Sequence, residues 1–121
     1  MTDEERLALR PQLTLAPASS PDERFQNDTL RPILKMQHEL LLTAFTLYLE
    51  KRKVRIQQLP REQRFAKVKE LVSRDNRLRG LLFGIAVGHF TAEEMQFYVG
   101  NDGMVNRRLT NLLTERLSGS F

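Results

Sequence analysis

From Leu30 onward, apolar residues recur as Leu30, Ile33, Leu34, Leu41, Ala44, Phe45 and Tyr48, with Gln37 in an inward slot. Steps of three and four are the period of an α-helix. Met36, Leu40 and Leu47 widen the stripe until residues 40–49 are apolar nearly all round. A helix with no wet face is predicted to be central and covered on every side. The run turns basic at Lys51-Arg52-Lys53 and must stop before Pro60, so the central helix is expected over about 29–58. Pro32 interrupts its start, since a continuous helix would lose the hydrogen bond to the Asp28 carbonyl. A restart capped by Asn27 or Asp28, with Pro32 in the first turn, avoids most of that cost.

The flanking segments read as shorter helices. Residues 2–9 form an acidic-headed helix that Arg10-Pro11 ends, because proline moves its predecessor away from helical angles. Residues 11–20 are an arm with Leu13 and Leu15 as its apolar teeth. Ser20, Pro21 and Glu23 give a helix start with a capping box. Past Pro60, Phe65, Val68, Leu71 and Val72 face inward and Arg61, Arg64 and Lys67 outward, with Glu70 and Arg74 as a supporting pair four apart. Asp75 or Asn76 opens the next helix, which carries Leu78, Leu81, Leu82 and Ile85 along with Gly80, Gly84 and Gly88 at four-residue spacing. Three glycines on one stripe destabilise a helix unless another backbone approaches closely, so close helix packing is expected there. Thr91 and Glu94 form a second capping box, Gly100-Asn101-Asp102-Gly103 a turn, and Val105, Leu109, Leu112, Leu113 and Leu117 a last helix.

The fold class that follows is all-α: one irregular or orthogonal bundle of five or six helices around the long central helix. Residues 1–20 supply a short helix and arm, and 21–121 a single helical domain. The expected core is Ile33, Leu34, Leu41, Phe45, Tyr48, Phe65, Val68, Leu82, Ile85, Phe97, Leu109 and Leu113.

Composition narrows the chemistry. The chain has no cysteine, which excludes disulfides and thiolate ligands. Its acidic start lacks the apolar run of a secretory signal. Its longest apolar stretch, 40–49, is half of the roughly 20 residues that span a bilayer. A cytoplasmic protein with no membrane span is expected. Charge is distributed unevenly under a net +4: residues 51–79 hold eleven basic and three acidic residues (+8), 1–50 five and eight (−3), and 81–121 three and four (−1). Lys51, Arg52, Arg55, Arg61, Arg64 and Lys67 are therefore a candidate basic binding patch for nucleic acid or an anionic surface, although a charge run also serves plain solvation.

Asn27, Arg31, Lys35, Gln37, His38 and His89 are the candidate polar pocket, with Arg31 and Lys35 able to hold an anion. Asn27 serves equally as a helix cap, and Arg31 and Lys35 as solvated residues. The histidines with Glu93 or Glu94 would make a two-histidine, one-carboxylate metal site, but no spacing demands it. No catalytic residue, metal or cofactor is assigned.

Asn27-Asp28-Thr29-Leu30-Arg31-Pro32-Ile33-Leu34-Lys35 and Gly88-His89-Phe90-Thr91-Ala92-Glu93-Glu94 resemble a family of small uncharacterised bacterial helical proteins, over about residues 22–117. Some members carry a glyoxalase label. The resemblance implies a bacterial, cytosolic, helical protein. Taken with the arm, the glycine stripe and the apolar central helix, the expectation is a non-enzymatic interaction or scaffold protein acting as a homodimer. Nucleic-acid or anionic-surface binding through 51–79 is the alternative, and a small metal-dependent enzyme the second alternative.

Overall fold

The computed structural model describes residues 1–121. It is an all-α bundle of helices α1 (Asp3–Leu9), α2 (Pro21–Phe25), α3 (Arg31–Met36), α4 (His38–Arg52), α5 (Arg61–Arg74), α6 (Asn76–Val87) and α7 (Ala92–Ser118), with no strand. A π-turn over Gln26–Leu30 joins α2 to α3, and a 3₁₀ turn over Ile56–Gln58 precedes α5. No helix is long and apolar enough to cross a membrane.

The central rod differs from expectation in three ways. It does not restart from an Asn27 or Asp28 cap. It runs on from Pro21, because the wide π-turn, closed by Arg31 N–H to the Gln26 carbonyl, absorbs the disruption around Pro32. It ends at Arg52, six residues short of 58, where Lys53 adopts left-handed angles (φ 56°, ψ 37°) and its N–H closes back on Glu50 and Leu49. Nor is it covered on every side: Leu41, Phe45 and Leu49 are buried, whereas Leu40 and Leu47 remain 54% and 50% exposed. Between α3 and α4, Gln37 alone leaves helical geometry (φ −100°, ψ 16°) and bends the axis.

Two side-chain bonds show how α4 and α6 pair. The Gln37 amide meets His89, just past the end of α6, at 2.8 Å. Toward the other end of α4, the Tyr48 hydroxyl donates to Asp75, the N-cap of α6, at 2.7 Å. The helices therefore run antiparallel. The buried apolar cluster draws on every helix except α1 and includes Ile33, Leu34, Leu41, Phe45, Val68, Leu82, Leu109 and Leu113 as expected; Tyr48, Ile85 and Phe97 pack on its margin.

Phe65 is a correction. It is 43% exposed, and the inward slot on α5 belongs to Arg64, four residues before Val68. Arg64 Nε donates to the Leu59 carbonyl at 2.8 Å, Nη2 to Gln57 at 2.9 Å and Nη1 to the Phe121 backbone oxygen at 3.1 Å. The guanidinium gains three backbone acceptors there, bonds that the Phe65 ring could not make. Glu70 pairs with Lys67, three residues back, at 3.6 Å rather than with Arg74.

The caps follow the sequence closely. Thr91 and Glu94 form the full reciprocal box, as do Thr2 and Glu5. At Ser20 only half the box forms: Ser20 Oγ accepts from Glu23 N–H, but the Glu23 carboxylate turns to Ser19. The glycine-rich turn shrinks to a kink at Asn101 (φ −139°, ψ 27°) within α7. Side chains brace that kink, with Asn101 donating to the Phe97 carbonyl and the Tyr98 hydroxyl to Asn106. A Cβ added at Gly80 or Gly84 would meet nothing within 4 Å, so the expected close helix packing does not occur within the chain.

Candidate functional site

Five of the six residues proposed as one polar pocket separate into three surroundings, and Lys35 belongs to none of them. Gln37 and His89 come together at the α4–α6 end. As the amide is oriented here, Gln37 donates and His89 Nε2 accepts, so the neutral ring carries its proton on Nδ1. Burial, then Arg10 and Arg6, depress the His89 pKa. Asn27 turns to the arm, lining a groove with Pro11, Leu13 and Pro17. Lys35 is exposed.

Arg31 and His38 occupy a third place, a cleft of about 330 Å³ shared with Arg116 from the last turn of α7. Arg116 Nη1 lies 3.4 Å from His38 Nδ1. The two histidines thus have different partners, and no group of three or more His, Asp or Glu is arranged to hold a metal ion. The two-histidine, one-carboxylate constellation is not assembled.

The candidate basic patch also divides. Arg64 is committed to carbonyls and Lys67 to Glu70. Arg52 lies 3.5 Å from Asp75 and stacks over the Tyr48 ring at 5.5 Å. Lys51, Arg55 and Arg61 are exposed and form no ion pair. A second basic groove, not foreseen, joins Lys69, Arg79 and Arg107 with Ser73, Asn106 and Thr110 between α5, α6 and α7. It encloses about 430 Å³, and none of its lining residues is acidic or apolar.

The densest polar constellation was not among the sequence candidates. Glu94, in the first turn of α7, receives both Nη atoms of Arg10 at 2.7 Å, the Thr29 hydroxyl at 2.7 Å and the Thr91 N–H at 2.8 Å. Arg10 also donates to the His89 carbonyl at 2.8 Å. The pair is largely enclosed, with side chains 6% and 15% exposed. Burial alone would raise the Glu94 pKa, but the bonds from Arg10, Thr91 and Thr29 outweigh it and the carboxyl titrates below its ordinary value. The π-turn delivers Thr29, while Phe25, stacked on Phe97 at 4.6 Å and edge-on to Phe90 at 5.6 Å, supports this corner. In addition, Asp3 accepts from the Ala92 N–H at 3.0 Å, which ties α1 to the start of α7. Of these links only the Thr91–Glu94 box has local sequence spacing. Arg10 and Glu94 lie 84 residues apart, and nothing in the sequence marks them as partners.

Neither a scan of protein-family models nor searches of curated proteins and of solved structures gives a match to this chain.

Proposed function

We propose that the protein is a non-enzymatic helical interaction protein that works as a homodimer through the outward edges of α4 and α6. The supporting observation is the uncovered apolar surface on this antiparallel pair. Leu40, Leu47 and Leu81 are 54%, 50% and 52% exposed, and Gly80 and Gly84 leave the α6 backbone bare beside Leu81. A second copy is the natural cover, since a two-fold axis sets each bare glycine edge against an identical one. Light scattering at tens of micromolar tests this directly. A dimer that becomes monomeric on Leu47→Glu or Leu81→Glu, with helix content unchanged, supports the reading. A strictly monomeric wild type removes it.

A second reading, binding to a nucleic-acid backbone, is supported by the carboxylate-free groove of Lys69, Arg79 and Arg107. Such binding should fall steeply with salt, and Lys69→Gln or Arg107→Gln should each reduce the salt slope by about 1. No complex with mixed-sequence DNA or RNA at micromolar protein and low salt would end this reading.

A further inference from the structure

The cleft of Arg31, His38 and Arg116 goes beyond both readings. Arg31 opens α3, His38 opens α4 and Arg116 sits in the last turn of α7, so three separate helices bring their cations and donors to one place. Leu34 and Leu112 line the apolar side, and Glu115, Gly119 and Ser120 complete the wall. All three central side chains are half-buried.

Neither arginine is neutralised. The four ion pairs of the molecule use Arg6, Arg10, Arg52 and Lys67. Glu115 lines the same cleft but forms no ion pair with either one. Burial, and then the charge of Arg31, hold the Arg116 pKa below its ordinary value. A cation in the last turn of a helix interacts favourably with the helix dipole, which accounts for Arg116 but not for a second arginine lining the same cleft. Arg116 donates to His38 Nδ1, which leaves the His38 proton on Nε2 as a further donor. Like charges gathered in a half-buried cleft without an ion-pair partner are a cost to folding, and such costs concentrate where a ligand is bound.

We propose that this cleft binds a small phosphate-bearing molecule, with its phosphoryl group between Arg31 and Arg116 and its remainder against the apolar wall. A phosphate monoester carries about −1.5 to −2 charge near neutral pH and matches two guanidinium groups, whereas a carboxylate neutralises only one. The Ser120 hydroxyl donates to the Arg116 carbonyl, so the guanidinium groups and the His38 ring supply the donors for such a group.

The test titrates inorganic phosphate, phenyl phosphate and acetate into the full-length chain at constant ionic strength, read by NMR at backbone amides and arginine Nε–H groups. Saturable shifts at Arg31, His38 and Arg116 are expected with both phosphates, with acetate weaker by about tenfold or more. Tighter binding of phenyl phosphate identifies an organic monoester as the ligand; equal affinities identify free phosphate. Arg31→Gln and Arg116→Gln should each weaken phosphate by about tenfold or more, and Arg61→Gln, at an exposed unpaired arginine, should leave it unchanged. Without ligand, neither cleft variant should melt below the wild type. Non-saturable shifts, acetate binding as tightly as phosphate, or an equal loss in Arg61→Gln would overturn the proposal.

Discussion

Arg10 and Arg116 are both largely or partly buried arginines held against a helix terminus, yet their surroundings are opposite. Arg10 meets a carboxylate in a two-pronged bond and a backbone carbonyl besides. Arg116 shares its cleft with a second arginine and makes one long contact to a histidine. The first is an electrostatic clasp that fastens the segment after α1 to the start of α7. The second is charge without an ion-pair partner. Position near a helix end does not reveal which arginine holds the fold together; the partner does.

The largest expected effect falls on the clasp. Glu94→Gln leaves the Arg10 guanidinium enclosed and unpaired, and should destabilise by about 2–4 kcal/mol, a buried-pair cost discounted for the remaining exposure of Glu94. Urea unfolding measures it, and a loss under about 0.5 kcal/mol would make the clasp a surface contact. A double-mutant cycle of Arg10→Met with Glu94→Gln should show coupling above about 1 kcal/mol.

Next comes pH. His89 has a depressed folded pKa, so the unfolded chain binds the extra proton and the stability it contributes is complete above 6.5 and declines below it. Glu94 is also depressed, so its contribution is complete above 4.5 and is lost as pH falls through its lower folded pKa. Both act in the same direction: acid weakens this corner in two successive windows. His89→Gln should remove the first window and leave the second, which melting curves from pH 7 down to about 3 would reveal.

The far end of the α4–α6 pair is less sensitive. Tyr48→Phe removes one hydroxyl bond to Asp75 and should cost about 0.5–1.5 kcal/mol. The smallest effect should be a gain: Gly80→Ala has open space and helical geometry, and should stabilise by about 0.5–1 kcal/mol. Under the proposed dimerisation the same substitution should weaken self-association, and unchanged association would place this edge outside the interface.

Local signals were legible in the sequence and distant ones were not. The Thr91–Glu94 box and the Asp75 cap were readable because a cap reaches only two or three residues. The α4 stripe correctly named Leu41 and Phe45, but counting apolar residues around an axis does not reveal whether anything covers Leu40 and Leu47. On α5, helical spacing suits Phe65 and Arg64 about equally as neighbours of Val68. Only the carbonyls of Gln57, Leu59 and Phe121 decide for Arg64. Pro32 signalled a break, and the chain absorbed it in a π-turn that needs no cap. Of the candidate pocket, Arg31 and His38 share a cleft because α7 returns Arg116 to them, a meeting across 78 residues in the His38–Arg116 contact.

Unfolding Arg10→Gln and Arg116→Gln side by side in urea tests the contrast most directly. Arg10→Gln should lose about 2–4 kcal/mol and Arg116→Gln should match or exceed the wild type. Equal losses in the two variants would contradict it.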